Sequence, residues 1–172
     1  MNLEPLIYLA GPTGIGKTAV AVELARELGA EIVSLDSMKV YRGMDVLTAK
    51  PTEEERKLAR FHMLDLVDVW ESFSTADYLR EAAGVIEDIE SRGKRVLFDG
   101  GTGLYLRAMT EGLFEGPEAD WAIRERLKRE AEERGTAFLH ERLAGLDSVA
   151  AERIHENDLR RIVRALEVYE LT

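Results

Sequence analysis

A phosphate-binding loop near the start of the chain restricts the fold more than any other feature of the sequence. Residues 11–18 read GPTGIGKT and match the pattern G-x-x-x-x-G-K-[ST] at each fixed position. The apolar run at 6–10 predicts a buried strand before the loop, and apolar residues at helical spacing in 17–28 predict a helix after it. Glycines let backbone N–H groups turn toward phosphate oxygens, and the helix N-terminus adds its positive potential. The sequence therefore predicts a site for a di- or triphosphate, and a glycine-rich turn with a solvated lysine is the weaker alternative.

All eight residues of the loop are candidate diphosphate ligands. Lys17 brings a positive charge to the phosphates, and the Thr18 hydroxyl is the predicted ligand of a Mg²⁺ ion that bridges them. Kinases and nucleotide hydrolases use this loop most often, so they are the default interpretation until other residues decide. The predicted diphosphate-binding residues are Gly11, Pro12, Thr13, Gly14, Ile15, Gly16, Lys17 and Thr18.

Length, composition and charge exclude several classes of protein. The 172 residues suffice for one domain, or for one domain with a small insertion. The chain has no cysteine, which excludes disulfides, thiolate zinc sites and cysteine nucleophiles. No apolar run reaches the length of a membrane span, so we expect a cytoplasmic protein without membrane partners. We also expect a monomer. A net charge of −10 argues against a uniformly basic surface, although arginines at 153, 160, 161 and 164 permit a local cationic face.

Strand and helix patterns alternate along the first two thirds of the chain. This alternation predicts an α/β fold of the P-loop NTPase type, with a parallel sheet and flanking helices. Further strands are predicted at 31–35, 63–67 and 96–99. A short charged helix is predicted near Pro51, in the first helical position, and a longer one from a capping box at Ser74 and Asp77 to Gly93. Residues 117–172 are helix-rich, so we predict an α/β core at 1–116 and a helical subdomain at 117–172.

Polar residues follow the predicted strands at the edge where open parallel sheets bind ligands. Asp36 is a candidate general base or outer-sphere Mg²⁺ ligand, and the alternative is a turn-forming aspartate. Asp99 is either a metal-holding carboxylate or a strand-end aspartate bonded to nearby backbone N–H groups, and the sequence leaves both open. Thr102 lies between glycines, which would let its hydroxyl approach a ligand at a tight turn.

Five separated motifs resemble the tRNA dimethylallyltransferase family and together cover essentially the whole chain. They are G-P-T-x-x-G-K-T at 11–18, D-S-x-x-x-Y-R-G-M-D at 36–45, T-A-K-P at 48–51, G-G-T-G-L-Y at 100–105, and R-I-H-x-N-D-x-x-R with R-A-L-E-V at 153–168. The resemblance implies transfer of a dimethylallyl group from dimethylallyl diphosphate to N6 of an adenosine next to the anticodon of tRNA, with release of diphosphate. It also implies Mg²⁺ as a cofactor and tRNA as a partner.

The resemblance assigns roles to individual residues. Its catalytic residues are Lys17, Asp36 and Thr102, with Asp36 accepting or orienting the N6 proton. The adenine has to leave its stack to reach such a site. The implied tRNA-binding residues are Asp36, Ser37, Met38, Lys39, Thr102, Arg124, Arg160, Arg161, Ile162, Val163 and Arg164.

Helix geometry gives an independent expectation for the arginines near the end of the chain. With Asp158 as the N-cap, a buried stripe is predicted for Leu159, Ile162, Val163 and Leu166. The arginines at 160, 161 and 164 then project away from that stripe, toward solvent or phosphate. The alternative is a solvated arginine face paired with the glutamates at 156 and 167.

The chain departs from the family pattern at three positions. Lys39 stands where Gln or an apolar residue is usual, Leu47 replaces a glycine, and Asp99 replaces an apolar residue. Three other functions stay open: a small-molecule or nucleotide kinase, a prenyl transferase acting on free adenine nucleotides, and a protein that holds diphosphate without catalysis. A kinase would need an arginine-rich lid, and the motifs at 100–105 and 160–164 favour the transferase.

Overall fold

The computed structural model describes residues 6–12, 14–113 and 116–172, which form two compact units. The first unit ends at Leu113 and contains a parallel sheet with helices on both faces. The second runs to Thr172, and its described residues form helices without a strand. Within the described ranges, no helix has both the length and the apolar character needed to cross a membrane.

Strands and helices alternate in the first unit, as the sequence predicts. The elements are β1 (Ile7–Ala10), α1 (Lys17–Leu28), β2 (Ala30–Leu35), α2 (Glu53–Leu58), β3 (Phe61–His62), α3 (Thr75–Ser91), β4 (Arg95–Gly100) and α4 (Gly103–Glu111). The predicted capping box of α3 is confirmed. Ser74 Oγ accepts a hydrogen bond from the Asp77 N–H, and the Asp77 carboxylate accepts one from the Ser74 N–H.

The four strands form one parallel sheet in the order β1-β4-β2-β3. The central strands β2 and β4 pair along their whole lengths, from Ala30 opposite Arg95 to Leu35 opposite Gly100. β1 pairs with the other side of β4. Because these strands run in the same direction, the segments that follow β1, β2 and β4 meet at one edge of the sheet.

Helices cover both faces of the sheet because successive residues of a strand point to opposite sides. Leu97 of β4 and Ile32 of β2 pack in one apolar cluster with α1. Phe98 belongs to the other face, in a cluster that includes Tyr78 of α3 and Tyr105 of α4. The rings of these two tyrosines stack with centroids 3.9 Å apart. The two layers fix β4, and with it the residues at its carboxyl end.

The third strand differs from the prediction of a strand at 63–67. β3 consists of Phe61 and His62, which pair with β2. Met63 and Asp65 have φ values of 60° and 56°, in the left-handed region, so the chain leaves the extended conformation at this point.

The start of α2 also differs from the prediction. Thr52 is the N-cap and forms a capping box with Glu55. Pro51 therefore precedes the cap and does not occupy the first helical position, since the Thr52 hydroxyl and the Glu55 carboxylate satisfy the N–H groups at the cap.

The described part of the second unit consists of α5 (Trp121–Arg134), α6 (Thr136–Leu146), α7 (Ser148–Arg153) and α8 (Leu159–Leu171). Aspartates cap three of these helices, since the carboxylates of Asp120, Asp147 and Asp158 each accept a hydrogen bond from the N–H three residues later. The predicted cap at Asp158 is thereby confirmed. A shared core contains Leu127, Leu139, Leu143, Ile162, Val163 and Leu166.

Candidate functional site

A cleft of about 940 Å³ lies at the carboxyl edge of the sheet. Six residues predicted to bind diphosphate or tRNA line it together, and Asp99 joins them. Its volume is in the range of sites that bind small molecules. The six residues are Gly14, Gly16, Lys17, Thr18, Asp36 and Lys39. Thr13, also predicted to bind diphosphate, lies outside the described residues.

No side chain of the described residues caps the N-terminus of α1 at the phosphate loop. Gly14 and Gly16 have φ values of 84° and 83°, a conformation that a side chain would strain. The N-cap is Gly16, which has no side chain to cap the helix, so the first N–H groups of α1 stay available to an anion. Lys17 Nζ donates to the Pro12 carbonyl oxygen at 2.5 Å, which keeps the cation at the loop.

Two glycines at the carboxyl end of β4 bring three backbone segments into close contact. A Cβ atom on Gly100 would lie 2.2 Å from the carbonyl oxygen of Leu35, and one on Gly101 would lie 2.8 Å from that of Gly11. Neither distance is possible for a real side chain. The glycines of the 100–105 motif therefore hold the ends of β2 and β4 against the start of the phosphate loop.

Asp99 lies beside Thr18 at the base of this loop. It shares the α1-facing side of β4 with Leu97, because side chains alternate along a strand. Thr18 Oγ1 donates to Asp99 Oδ2 at 3.0 Å. The Asp99 residue is 3% exposed, and its Oδ1 has no hydrogen-bond partner in the described chain. The backbone N–H bonds expected of a strand-end aspartate are thus absent from the described chain.

Burial raises the pKa of the Asp99 carboxyl above its ordinary value. The positive charge of Lys39 and the hydrogen bond from Thr18 partly oppose this effect. Lys39 acts here through its charge and makes no hydrogen bond to Asp99. Asp99 is therefore a buried acid that its described neighbours leave incompletely satisfied.

The oxygen atoms of Thr18 and Asp99 suit a hard divalent cation such as Mg²⁺. Among the residues that the structure describes, no group of three or more His, Asp or Glu side chains is arranged to hold a metal by itself. Mg²⁺ sites in phosphate enzymes commonly combine one or two carboxylates with water and substrate phosphate oxygens. The residues present fit a site of that kind.

Asp36 and Thr102 both shape the segment that follows β2. Asp36 Oδ1 accepts hydrogen bonds from the N–H groups of Met38 at 2.8 Å and Lys39 at 3.3 Å, as expected of a turn-forming aspartate. No hydrogen bond reaches Asp36 Oδ2 from the described residues. Thr102 Oγ1 accepts from the Ser37 N–H at 3.0 Å and so holds this turn next to the 100–105 motif. A catalytic role for either residue stays a prediction.

A buried lysine that received no role from the sequence organises the far wall of the cleft. Lys50 Nζ donates to Asp65 at 2.5 Å, to Asp45 at 2.8 Å and to the Tyr41 carbonyl oxygen at 2.7 Å. Burial by itself lowers the pKa of Lys50, but these hydrogen bonds outweigh burial and raise the pKa. The left-handed backbone of Asp65, with φ of 56°, is held in this network. The position of Lys50 in the T-A-K-P motif was the sequence signal that could have indicated a role for this lysine.

In the second unit, two of the predicted tRNA-binding arginines surround a buried carboxylate. Glu167 is 0% exposed. Its oxygens accept from Arg124 at 2.8 and 2.9 Å, from Arg164 at 2.6 Å and from the Asp120 N–H at 2.7 Å. Burial alone would raise the pKa of Glu167, but the arginine hydrogen bonds outweigh it and bring the pKa to about 2. Arg164 also donates to the Pro117 carbonyl oxygen.

These contacts correct the expectation that Arg164 projects into solvent, since Glu167 holds it half-buried. Arg160 and Arg161 are exposed as predicted, and Arg161 pairs with Asp158 at the start of α8. The side chains of Ile162 and Val163 face the core. A contact of these two residues with tRNA would therefore have to use backbone atoms.

A protein-family model described as IPP transferase matches residues 39–172 of the chain. A tRNA dimethylallyltransferase of Geobacter metallireducens is 53% identical over 167 residues, which cover 97% of this chain and 54% of that protein. A tRNA dimethylallyltransferase of Stenotrophomonas maltophilia is 53% identical over 173 residues, covering 100% of this chain and 55% of that protein. The chain thus spans about half the length of the curated relatives it matches.

Two solved structures of tRNA-modifying transferases resemble the structure of this chain. The full-length tRNA isopentenylpyrophosphate transferase of Bacillus halodurans superposes with a TM-score of 0.64 and 43% identity, covering 98% of this chain and 56% of that protein. A eukaryotic dimethylallyltransferase described as acting on tRNA gives a TM-score of 0.77 and 30% identity, covering 95% of this chain and 41% of that protein.

Proposed function

Because the chain belongs to the IPP transferase family, as its motifs predict, we propose that it transfers a dimethylallyl group from dimethylallyl diphosphate to N6 of an adenosine in tRNA. The observation that carries the proposal is the uncapped phosphate loop at one cleft with Asp36. In this reaction the bond from C1 of the dimethylallyl group to the diphosphate oxygen breaks and a bond from C1 to N6 forms. N6 loses one proton, and diphosphate leaves.

The phosphate loop acts on the leaving group. The N–H groups at the start of α1 and the Lys17 ammonium stabilise the negative charge that develops on the departing diphosphate. Lys17 exchanges the Pro12 carbonyl oxygen, its partner in the free loop, for a diphosphate oxygen. A Mg²⁺ ion at Thr18 would supply further positive charge to the same group.

Asp36 acts on the attacking amine. Its Oδ1 is fixed by two backbone N–H groups, which orients the carboxylate, while Oδ2 is left to accept the N6 proton. Thr102 positions this carboxylate indirectly by holding the Ser37 N–H in the next peptide.

The exposed arginines of α8 supply contacts to the tRNA backbone. Arg160 and Arg161 are exposed to solvent, whereas Arg124 and Arg164 are bound to Glu167. Phosphate contacts of this kind fix the position of a nucleic acid and do not read its sequence.

Labelled dimethylallyl diphosphate offered with tRNA, with AMP and with ATP tests the proposal. We expect label on adenosine N6 in nuclease digests of the tRNA, little label on AMP, and no hydrolysis of ATP. Label on AMP alone would favour a free nucleotide as the acceptor, and ATP turnover would favour a kinase or hydrolase. Calorimetric binding of the diphosphate without transfer to any acceptor would indicate a binding protein.

Two variants separate binding from chemistry. Lys17→Ala should abolish calorimetric binding of dimethylallyl diphosphate without unfolding the chain, since it removes a charge from a loop and nothing from the core. Asp36→Asn should keep that binding and lower transfer by about 10²-fold or more, as expected for a positioned base. Transfer at the parent rate by Asp36→Asn would leave this residue with its turn-forming role alone.

A further inference from the structure

Two buried polar atoms that lack a hydrogen-bond partner among the described residues lie at paired positions of β2 and β4, beneath the phosphate loop. Asp99 Oδ1 and Ser34 Oγ have no hydrogen-bond partner among the described residues. Ser34 of β2 lies directly opposite Asp99 of β4 in the sheet register. Both side chains point to the α1 side, since Ile32 and Leu97, two residues earlier in each strand, pack with α1. The orphaned atoms therefore belong to one site.

A carboxylate in such a place is costly unless something else compensates its charge. Burying a charged group is unfavourable when its oxygens are not bonded, and native structures rarely leave such atoms without a partner. The Thr18 hydroxyl satisfies one Asp99 oxygen, and Lys39 contributes a longer-range attraction without a hydrogen bond. A cation, or a water molecule bound to one, would satisfy the remaining oxygen.

We propose that Asp99 is the carboxylate of a divalent-cation site in which Thr18 provides the hydroxyl ligand. The Thr18 hydroxyl donates a hydrogen bond to Asp99 Oδ2, which leaves the lone pairs of its oxygen for the cation. Asp99 Oδ1 and Ser34 Oγ bind the cation or the water in its shell. The assignment rests on the proposed function, because diphosphate oxygens complete the coordination.

Binding of Mn²⁺, followed by the relaxation rate of water protons, tests the assignment without any catalysis. The full chain is titrated with Mn²⁺, alone and with one equivalent of inorganic diphosphate. Asp99→Asn should weaken Mn²⁺ binding by about tenfold or more, a loss typical of removing a group that supports a metal. Asp88→Asn makes the same chemical change on the exposed face of α3 and should leave Mn²⁺ affinity unchanged.

Thermal unfolding checks that the variant is folded. Without metal, Asp99→Asn should melt at or above the temperature of the parent, because it removes a poorly compensated buried charge. Mn²⁺ with diphosphate should raise the melting temperature of the parent more than that of the variant, since a ligand stabilises the state it binds.

Three outcomes overturn the assignment or separate it from the proposed function. Unchanged Mn²⁺ affinity in a folded Asp99→Asn chain that still binds diphosphate overturns the metal site and leaves the proposed function standing. Failure of the parent to bind diphosphate overturns both. If Asp99→Asn does not fold, crystals of the parent with Mn²⁺ and diphosphate decide by anomalous scattering. The ion should contact Thr18 and lie at about 2.1 Å from Asp99 or one water away, and a peak elsewhere overturns the site.

Discussion

Replacing Glu167 by glutamine should destabilise the second unit more than any exposed substitution in it. The carboxylate is fully buried and accepts four hydrogen bonds, three from Arg124 and Arg164 and one from the Asp120 N–H. The glutamine side chain would keep the shape but remove the charge, and its amide N–H₂ would face guanidinium groups that cannot accept a hydrogen bond. Two arginines would then share one neutral oxygen.

The expected loss follows from the pKa. A pKa of about 2 in the folded chain, against an ordinary value of 4.5, corresponds to about 3 kcal/mol of stability at neutral pH. A second estimate comes from buried ion pairs in general, where removal of one partner costs about 3–5 kcal/mol of stability. We therefore expect the free energy of unfolding of Glu167→Gln to fall by about 3 kcal/mol at pH 7.

The pH dependence has a definite sign. Because folding lowers the pKa of Glu167, the unfolded chain binds the proton more readily, so the stabilisation is complete above about pH 4.5 and disappears as pH falls through about 2. The difference between parent and Glu167→Gln should therefore shrink to about 1.5 kcal/mol at pH 3.

Urea unfolding followed by tryptophan fluorescence measures this difference. The chain has two tryptophans, and replacing the exposed Trp70 by phenylalanine leaves Trp121, in the second unit, as the reporter. Glu152→Gln, an exposed change on α7, is the matched control and should stay within about 0.5 kcal/mol of the parent. A loss below about 1 kcal/mol at pH 7, or one that stays constant down to pH 3, would refute the stabilising role of the buried carboxylate.

Other substitutions test the remaining contacts. Gly100→Ala should cost about 3 kcal/mol or more in urea unfolding, because its Cβ meets backbone, whereas Gly103→Ala, with open space at Cβ, should cost little. Replacing Arg160 and Arg161 by glutamine should lower tRNA affinity and reduce its salt slope by about one unit for each lost phosphate contact, with unchanged stability; an unchanged slope would mean a solvated face. Lys50→Met should lower stability by about 2 kcal/mol, since its carboxylate partners are partly solvated, and an unchanged unfolding midpoint would contradict a stabilising role for the hydrogen-bond network of Lys50.

The phosphate loop, α1 and the N-terminal caps of α3 and α8 could be predicted from the sequence because they depend on nearby residues. Left-handed glycines, a helix that begins at Lys17 and a capping box between Ser74 and Asp77 all involve positions within a few residues of each other. Spacing and residue type are sufficient for such features. The parallel sheet followed similarly from the alternation of elements.

The environment of each charged side chain was decided by the tertiary structure. The helical period of 3.6 residues per turn predicts that Arg164 lies away from the apolar stripe of α8. In the structure, Glu167 and the Pro117 carbonyl oxygen hold its side chain half-buried. Spacing along a helix does not reveal which atoms of other segments fill the surrounding space. The end of β3 was missed for the same reason, since Asp65, whose backbone is left-handed, belongs to the hydrogen-bond network of Lys50.

Asp99 shows most clearly which features the sequence predicts and which features only the tertiary structure decides. The sequence placed it at the end of a buried strand and left a metal site and a simple strand end equally open. Thr18, its hydrogen-bond partner, lies 81 positions earlier, and Ser34 comes opposite it only through the pairing of β2 with β4. Local propensity determines which residues form strands and helices, but the surroundings of the Asp99 carboxylate depend on which distant segments the sheet brings together, and none of the described residues donates a hydrogen bond to its Oδ1.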